Sequence, residues 1–198
     1  GLLAEPVLIV VVLDACSDQS PQIAEAFGVS TLMIDACNVG QARRVGAAHA
    51  LARGARWLAC TDADSYVATD WLYQQLRHGA EVVCGTVHVE DWEGYGHAVQ
   101  AAYQRQYCNE DGHRHIHGAN LGVCAAAYQR VGGFPPLAAH EDVSLVQALE
   151  GTGANIVWTG ENRVVTSARK HPRARAGFGE HLAHLAAQLA PEGAMNEA

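Results

Sequence analysis

Two carboxylates, Asp62 and Asp64, stand one residue apart where the apolar run Trp57-Leu58-Ala59-Cys60 ends. Along an extended chain, residues i and i+2 point to the same face, so the two acids can address one object together. Their mutual repulsion is relieved by a cation between them. A divalent ion held by few protein oxygens, with phosphate oxygens completing its shell, is the usual solution. A solvated turn after a strand accounts for the same residues without any ligand. A second acidic pair, Glu141-Asp142, opens a predicted helix. A carboxylate within hydrogen-bond reach of a hydroxyl can act as a base, while acids at a helix start also simply favour its dipole. His113, His115 and His117 alternate and would share one face of an extended segment. Such imidazoles can ligate a metal, but they more often line a polar pocket. The chain's single basic cluster runs through Ser167, Arg169, Lys170, His171, Arg173 and Arg175.

Alternating strands and helices must position these groups. Residues 7–13 are a continuous β-branched run, read as a strand covered on both faces. Asp18 or Ser20 can cap a helix over 21–27, with Pro21 in its first turn. A short strand at 31–34 is followed by Asn38-Val39-Gly40 and a helix over 41–53 that stops at Gly54. Strands are expected at 56–61, 81–89, 121–124, 154–158 and 163–167, and helices at 70–78, 94–108, 125–131, 141–150 and 179–190. The pattern predicts an α/β domain with a mainly parallel central sheet. Ligands of such folds lie beyond the carboxyl ends of the strands, where Asp14 and Asp62 both sit.

At 198 residues the chain can bury a sizeable core as a single domain, and 49% hydrophobic with 17% charged residues suits a globular α/β enzyme. A net charge of −8 argues against a nucleic-acid partner, since phosphate neutralisation needs a basic face. The six cysteines are scattered without a Cys-x-x-Cys pair, which reads as reduced thiols in a cytoplasmic protein. No stretch approaches the roughly 20 apolar residues that span a bilayer, and no signal peptide opens the chain.

In order, Asp14-x-x-Ser17-Asp18, the Asn38-x-Gly40 helix entry leading to Arg43, and Thr61-Asp62-Ala63-Asp64 resemble the nucleotide half of family 2 glycosyltransferases. Gly118-Ala119-Asn120-Leu121, Gly132-Gly133-Phe134 and His140-Glu141-Asp142 resemble the acceptor half. The similarity runs from about residue 7 to 178. It implies a GT-A type fold, with a nucleotide half over 1–90, an acceptor half over 91–178 and a C-terminal helix and tail over 179–198. Members of that family usually open with a further strand and a Pro-x-x-Asn-Glu-like turn, and this chain begins after that position. Leu13 stands where many members carry an acid, which leaves Asp14 to contact the base.

The resemblance implies an inverting, metal-dependent hexosyl transfer from a nucleoside diphosphate-sugar, most simply a uridine diphosphate donor, to an unidentified acceptor hydroxyl. Asp64 and His171 would hold Mn2+ or Mg2+, and Asp62 would reach the ribose or a metal-bound water. Asp14, Asn38, Gly40, Arg43 and Arg169 would line the nucleotide-sugar. Asp142 would be the catalytic base, with His117, Asn120 and Glu141 near the acceptor. Trp57, Trp71, Trp92 and Trp158 read as packing residues, Trp92 lying in a plausible acceptor loop. A homodimer is allowed. The rivals are a sugar-phosphate nucleotidyltransferase, whose Gly-x-Gly-x-[Thr/Ser]-Arg loop is not found, and a non-catalytic nucleotide-sugar-binding domain.

Overall fold

A computed structural model of the chain describes residues 5–92, 94–169 and 177–189. Fourteen elements place the candidate residues: β1 (Val10–Asp14), α1 (Ser20–Ala26), β2 (Ser30–Ile34), α2 (Val39–Leu51), β3 (Trp57–Cys60), β4 (Ser65–Val67), α3 (Trp71–Leu76), β5 (Val82–His88), α4 (His97–Gln106), β6 (Leu121–Cys124), α5 (Ala125–Arg130), α6 (Glu141–Gly151), β7 (Ile156–Thr166) and α7 (Phe178–Leu189). A 3-10 turn, Gly118–Asn120, leads into β6.

The strands form two sheets. One is the parallel pair β1-β2, and the other has the order β3-β6-β5-β7-β4. Within the larger sheet β3, β5 and β7 share one direction, while β6 and the short β4 run against them. The expected α/β architecture is therefore present, with three of the five strands of the larger sheet running the same way. Val82, Val83, Cys84, Thr86 and Val87 of β5 are all buried, as suits the central strand of a sheet covered on both sides. Each such aliphatic side chain contributes about 1.5–3 kcal/mol through burial. Around β5 the main core gathers Leu121, Val123, Phe134, Leu145, Val146 and Leu149. A second cluster joins Val89, Val99, Ala102 and Tyr103 to Leu182 and Leu185, so that α7 packs on α4.

Two expectations are corrected. The run at 7–13 is not a strand covered throughout: Val7, Leu8 and Ile9 precede β1 and are exposed. Its β-branched residues have a ladder only from Val10, where β2 begins to pair. The predicted strands at 154–158 and 163–167 are one strand, β7. Between Trp158, opposite Cys84, and Arg163, opposite Thr86, its register shifts, so that extra residues bulge out of the ladder.

Candidate functional site

The polypeptide turns sharply after β3. Ser65 N–H donates to Asp62 O (3.1 Å), so residues 62–65 form a tight turn before β4 pairs with β7. This overturns the extended geometry expected for Asp62 and Asp64, because the two acids reach different partners. Asp62 Oδ1 accepts from Arg43 Nη2 at 2.5 Å. Asp64 pairs with Arg169, each side chain about one-third exposed.

Arg43 rises from the second turn of α2 into the interior, its side chain 11% exposed. Besides Asp62 it donates through Nε to Glu141 Oε1 (2.9 Å) and through Nη1 to Gly118 O (2.9 Å). Burial alone would lower its pKa, but Asp62 and Glu141 more than reverse that and hold it firmly charged. Its guanidinium is therefore bound to protein on three sides, each through a different nitrogen. At Gly118 a Cβ would stand 2.5 Å from Arg43 Nη2, so only glycine lets the guanidinium approach.

Glu141, 4% exposed, opens α6 directly after His140, whose left-handed backbone (φ 60°) makes the tight entry. Burial first, and then the neighbouring Asp142, push its carboxyl above the usual range, against the pull of Arg43. Asp142 is half-buried. Its Oδ2 accepts from Gly118 N–H (2.6 Å) and its Oδ1 from Val143 N–H (2.8 Å). Each oxygen keeps a further lone pair for an incoming hydroxyl.

Other predicted residues are tied into the scaffold. Burial would raise the carboxyl of Asp14, but three backbone N–H donors, from Ala36, Cys37 and Asn38 at 2.7–2.9 Å, bring it below its ordinary value. Asn38 caps α2 through Gln41 N–H (2.9 Å) and donates to Pro136 O (3.1 Å). A Cβ at Gly40 would lie 2.2 Å from Pro135 O, so this glycine serves the contact of α2 with the loop before α6. Asn120 is 0% exposed and fully engaged: Nδ2 donates to Thr86 O (2.8 Å) and Asn162 O (2.7 Å), while Oδ1 accepts from Trp71 Nε1 (2.9 Å). Its amide plugs the β7 bulge beside Gly85, where a Cβ would meet Nδ2 at 2.3 Å. The expected acceptor contact of Asn120 is corrected to a structural one.

The three alternating histidines do share a face, with ring centroids 5.5 Å apart for His113–His115 and 5.9 Å for His115–His117. Tyr107 stacks on His115 at 4.2 Å, and its hydroxyl bonds His117 Nε2 at 2.8 Å. Burial, and then the other two imidazoles, lower the His117 pKa to about 3, so its ring is neutral. The sequence did not single out Tyr107 or Tyr103, since aromatic residues on a helix face read as ordinary core.

Among the described residues no group of three or more His, Cys, Asp and Glu side chains is arranged to hold a metal ion, and His171 lies outside them. Asp64, one-third exposed, offers a hard oxygen ligand facing a cationic partner. That donor set fits a divalent ion whose shell is mostly phosphate and water oxygen, rather than an all-protein cage. Among the described residues no helix is long and apolar enough to cross a membrane.

The solved structures similar to this one include Staphylococcus aureus TarS 1-349 in complex with UDP-GlcNAc (TM-score 0.62, 17% identity, covering 91% of this chain and 56% of that one). Another is GalNAc-T7 with UDP, GalNAc and Mn2+ (TM-score 0.59, 15% identity, 80% and 37%). A third is the Pyrobaculum calidifontis mannosyltransferase PcManGT with GDP-Man and Mn2+ (TM-score 0.55, 17% identity, 84% and 49%). At these identities the likeness is one of fold, the GT-A type, and the chain spans about half the length of the TarS fragment. A search of curated protein sequences finds no match. The family described as glycosyl transferase family 2 matches residues 3–129, which carry the acidic turn, α2 and the Gly118–Asn120 turn, and the chain belongs to that family.

Proposed function

We propose that the chain transfers a sugar from a nucleoside diphosphate-sugar to an acceptor hydroxyl with inversion, assisted by a divalent ion. One observation carries the reading. A single buried guanidinium, that of Arg43, binds Asp62 of the acidic turn and Glu141 of the helix-opening pair, drawing the two carboxylate clusters into one site.

In this reading the donor diphosphate lies at the turn, and Arg169 turns its charge from Asp64 to the phosphate oxygens. Asp64 would hold a divalent ion, Mn2+ or Mg2+, which when bound offsets the negative charge that grows on the departing diphosphate. Glu141 and Arg43 keep Asp62 fixed without contacting the donor. Asp142 takes the proton from the acceptor hydroxyl as that oxygen bonds the anomeric carbon, and the bond to the diphosphate breaks on the opposite face. The backbone N–H groups of Gly118 and Val143 hold the carboxylate in place, which is the positioning a proton transfer needs. TarS with UDP-GlcNAc and PcManGT with GDP-Man support a nucleotide-sugar donor, and the Mn2+ of GalNAc-T7 and PcManGT supports the ion.

Release of nucleoside diphosphate from a panel of sugar donors with Mn2+, wild type against Asp142→Asn, tests the proposal. The variant should bind donor as wild type does and lose about 10²-fold or more of the release rate. Unchanged release in Asp142→Asn would remove Asp142 from the chemistry.

A further inference from the structure

A further cleft is lined by none of the residues assigned above to the donor. Val87, Trp92, Tyr103 and Tyr107 line it, the exposed Gln104 and Asn109 stand at its rim, and it encloses about 210 Å3. Sites for drug-sized ligands run to about 300–1,000 Å3, so this one suits a single ring. Its walls are aromatic and its rim is amide. That pairing matches a ligand with an apolar face and a polar edge. Among the described residues no lysine or arginine, the side chains that most often pair with phosphate, lines it.

Two further observations connect the cleft to the chemistry. Tyr107 Oη accepts from Val87 N–H (3.0 Å) and bonds His117 Nε2 (2.8 Å), and His117 is followed by Gly118, whose N–H holds Asp142 Oδ2 (2.6 Å). The wall of the cleft is thus bonded, one residue at a time, to the carboxylate that would take the acceptor's proton. Tyr103 is 5% exposed, and among the described residues its hydroxyl has no hydrogen-bond partner. A buried hydroxyl left unpaired marks a place where a further polar group belongs.

We propose that this cleft seats the acceptor, and that the part it seats is a neutral pyranose ring, packed by its C–H face against the Trp92 wall with hydroxyls toward Gln104, Asn109 and Tyr103. The proposal rests on the glycosyl-transfer reading above and adds the class of acceptor. A sugar-phosphate or a lipid-linked phosphate would meet no lysine or arginine among the described lining residues, and a purely apolar ring would leave the amide rim unused.

Saturation-transfer NMR on the full chain tests it, with methyl glucoside, galactoside, mannoside and N-acetylglucosaminide as probes. Glucose 1-phosphate and cyclohexylmethanol serve as the charged and the apolar comparison. At least one methyl pyranoside should receive saturation at its ring protons, with affinity falling about tenfold in Trp92→Ala and staying within about threefold in Trp92→Phe, the weight of one ring contact. Gln104→Ala, on the exposed rim, should weaken binding while thermal unfolding stays as in wild type. Binding of none of the pyranosides, equal binding in Trp92→Ala and Gln104→Ala, or tighter binding of either comparison compound would overturn the proposal. Donor binding with Mn2+ is measured on the same samples. Its loss with pyranoside binding intact would count against the donor reading alone, and the reverse against the cleft alone.

Discussion

Asp62 and Glu141 share one guanidinium: Arg43 reaches the first through Nη2 at 2.5 Å and the second through Nε at 2.9 Å. An acidic turn after β3 and the first residue of α6 are thereby fixed to one side chain of α2. This geometry stabilises the protein only as a whole, because a buried charge is tolerable only while paired.

Removing the shared cation should therefore be severe. Arg43→Met is expected to destabilise the fold by about 3–5 kcal/mol, since it leaves the carboxylate of Glu141 buried alone. Adding Glu141→Gln to that variant should restore part of the loss by deleting the stranded charge. Urea unfolding at neutral pH measures both. A loss below about 1 kcal/mol would mean that the pair behaves as a surface ion pair.

Asn120 offers a test of the β7 bulge. Asn120→Ala takes the partners from Trp71 Nε1, Thr86 O and Asn162 O at once. Each orphaned buried group costs about 1–3 kcal/mol, so a loss of several kcal/mol is expected. Asn120→Asp should be comparably damaging, because a carboxylate cannot donate to the two carbonyls. Thermal unfolding of the two variants checks this. A variant as stable as wild type would show that water takes over the amide's bonds.

Acid should weaken the fold through the histidine stack. Burial, followed by His115 and His113, takes the pKa of His117 from its ordinary 6.5 down to about 3. Above pH 6.5 neither the folded nor the unfolded chain protonates this ring. As pH falls from 6.5 toward 3, only the unfolded chain does, and stability drops by up to about 1.4 kcal/mol per pH unit. His117→Gln keeps a partner for Tyr107 but cannot titrate. The difference in unfolding free energy between pH 7.5 and 5.5 should shrink by about 1.4 kcal/mol in the variant. An unchanged difference would mean that His117 takes up its proton alike in the folded and the unfolded chain.

Much of this arrangement was legible in the residues. Alternating β-branched runs and capped helices predict the α/β order, and the acid pairs at 62/64 and 141/142 point to the two carboxylate clusters that Arg43 joins. What could not be read is where each polar side chain would turn. Asn120 reads as a contact residue until β7 is known to bulge over Gly85, an event set by pairing between strands far apart in sequence. Asp62 and Asp64 read as a matched pair along a strand until Ser65 is drawn back to pair with Thr166, which bends the chain between them. Arg43 and Arg44 are neighbours on α2, and the room that Gly118 leaves for the guanidinium of Arg43 is visible only once the distant turn is in place.

The central claim is that the acidic turn receives a donor diphosphate through a cation at Asp64. Calorimetric titration of wild type and Asp64→Asn with UDP- and GDP-sugars, each with and without Mn2+, tests it most directly. The account predicts that at least one donor binds wild type only when Mn2+ is present and that the same donor fails to bind Asp64→Asn. Donor binding that is equal in the two proteins, or indifferent to Mn2+, would contradict it.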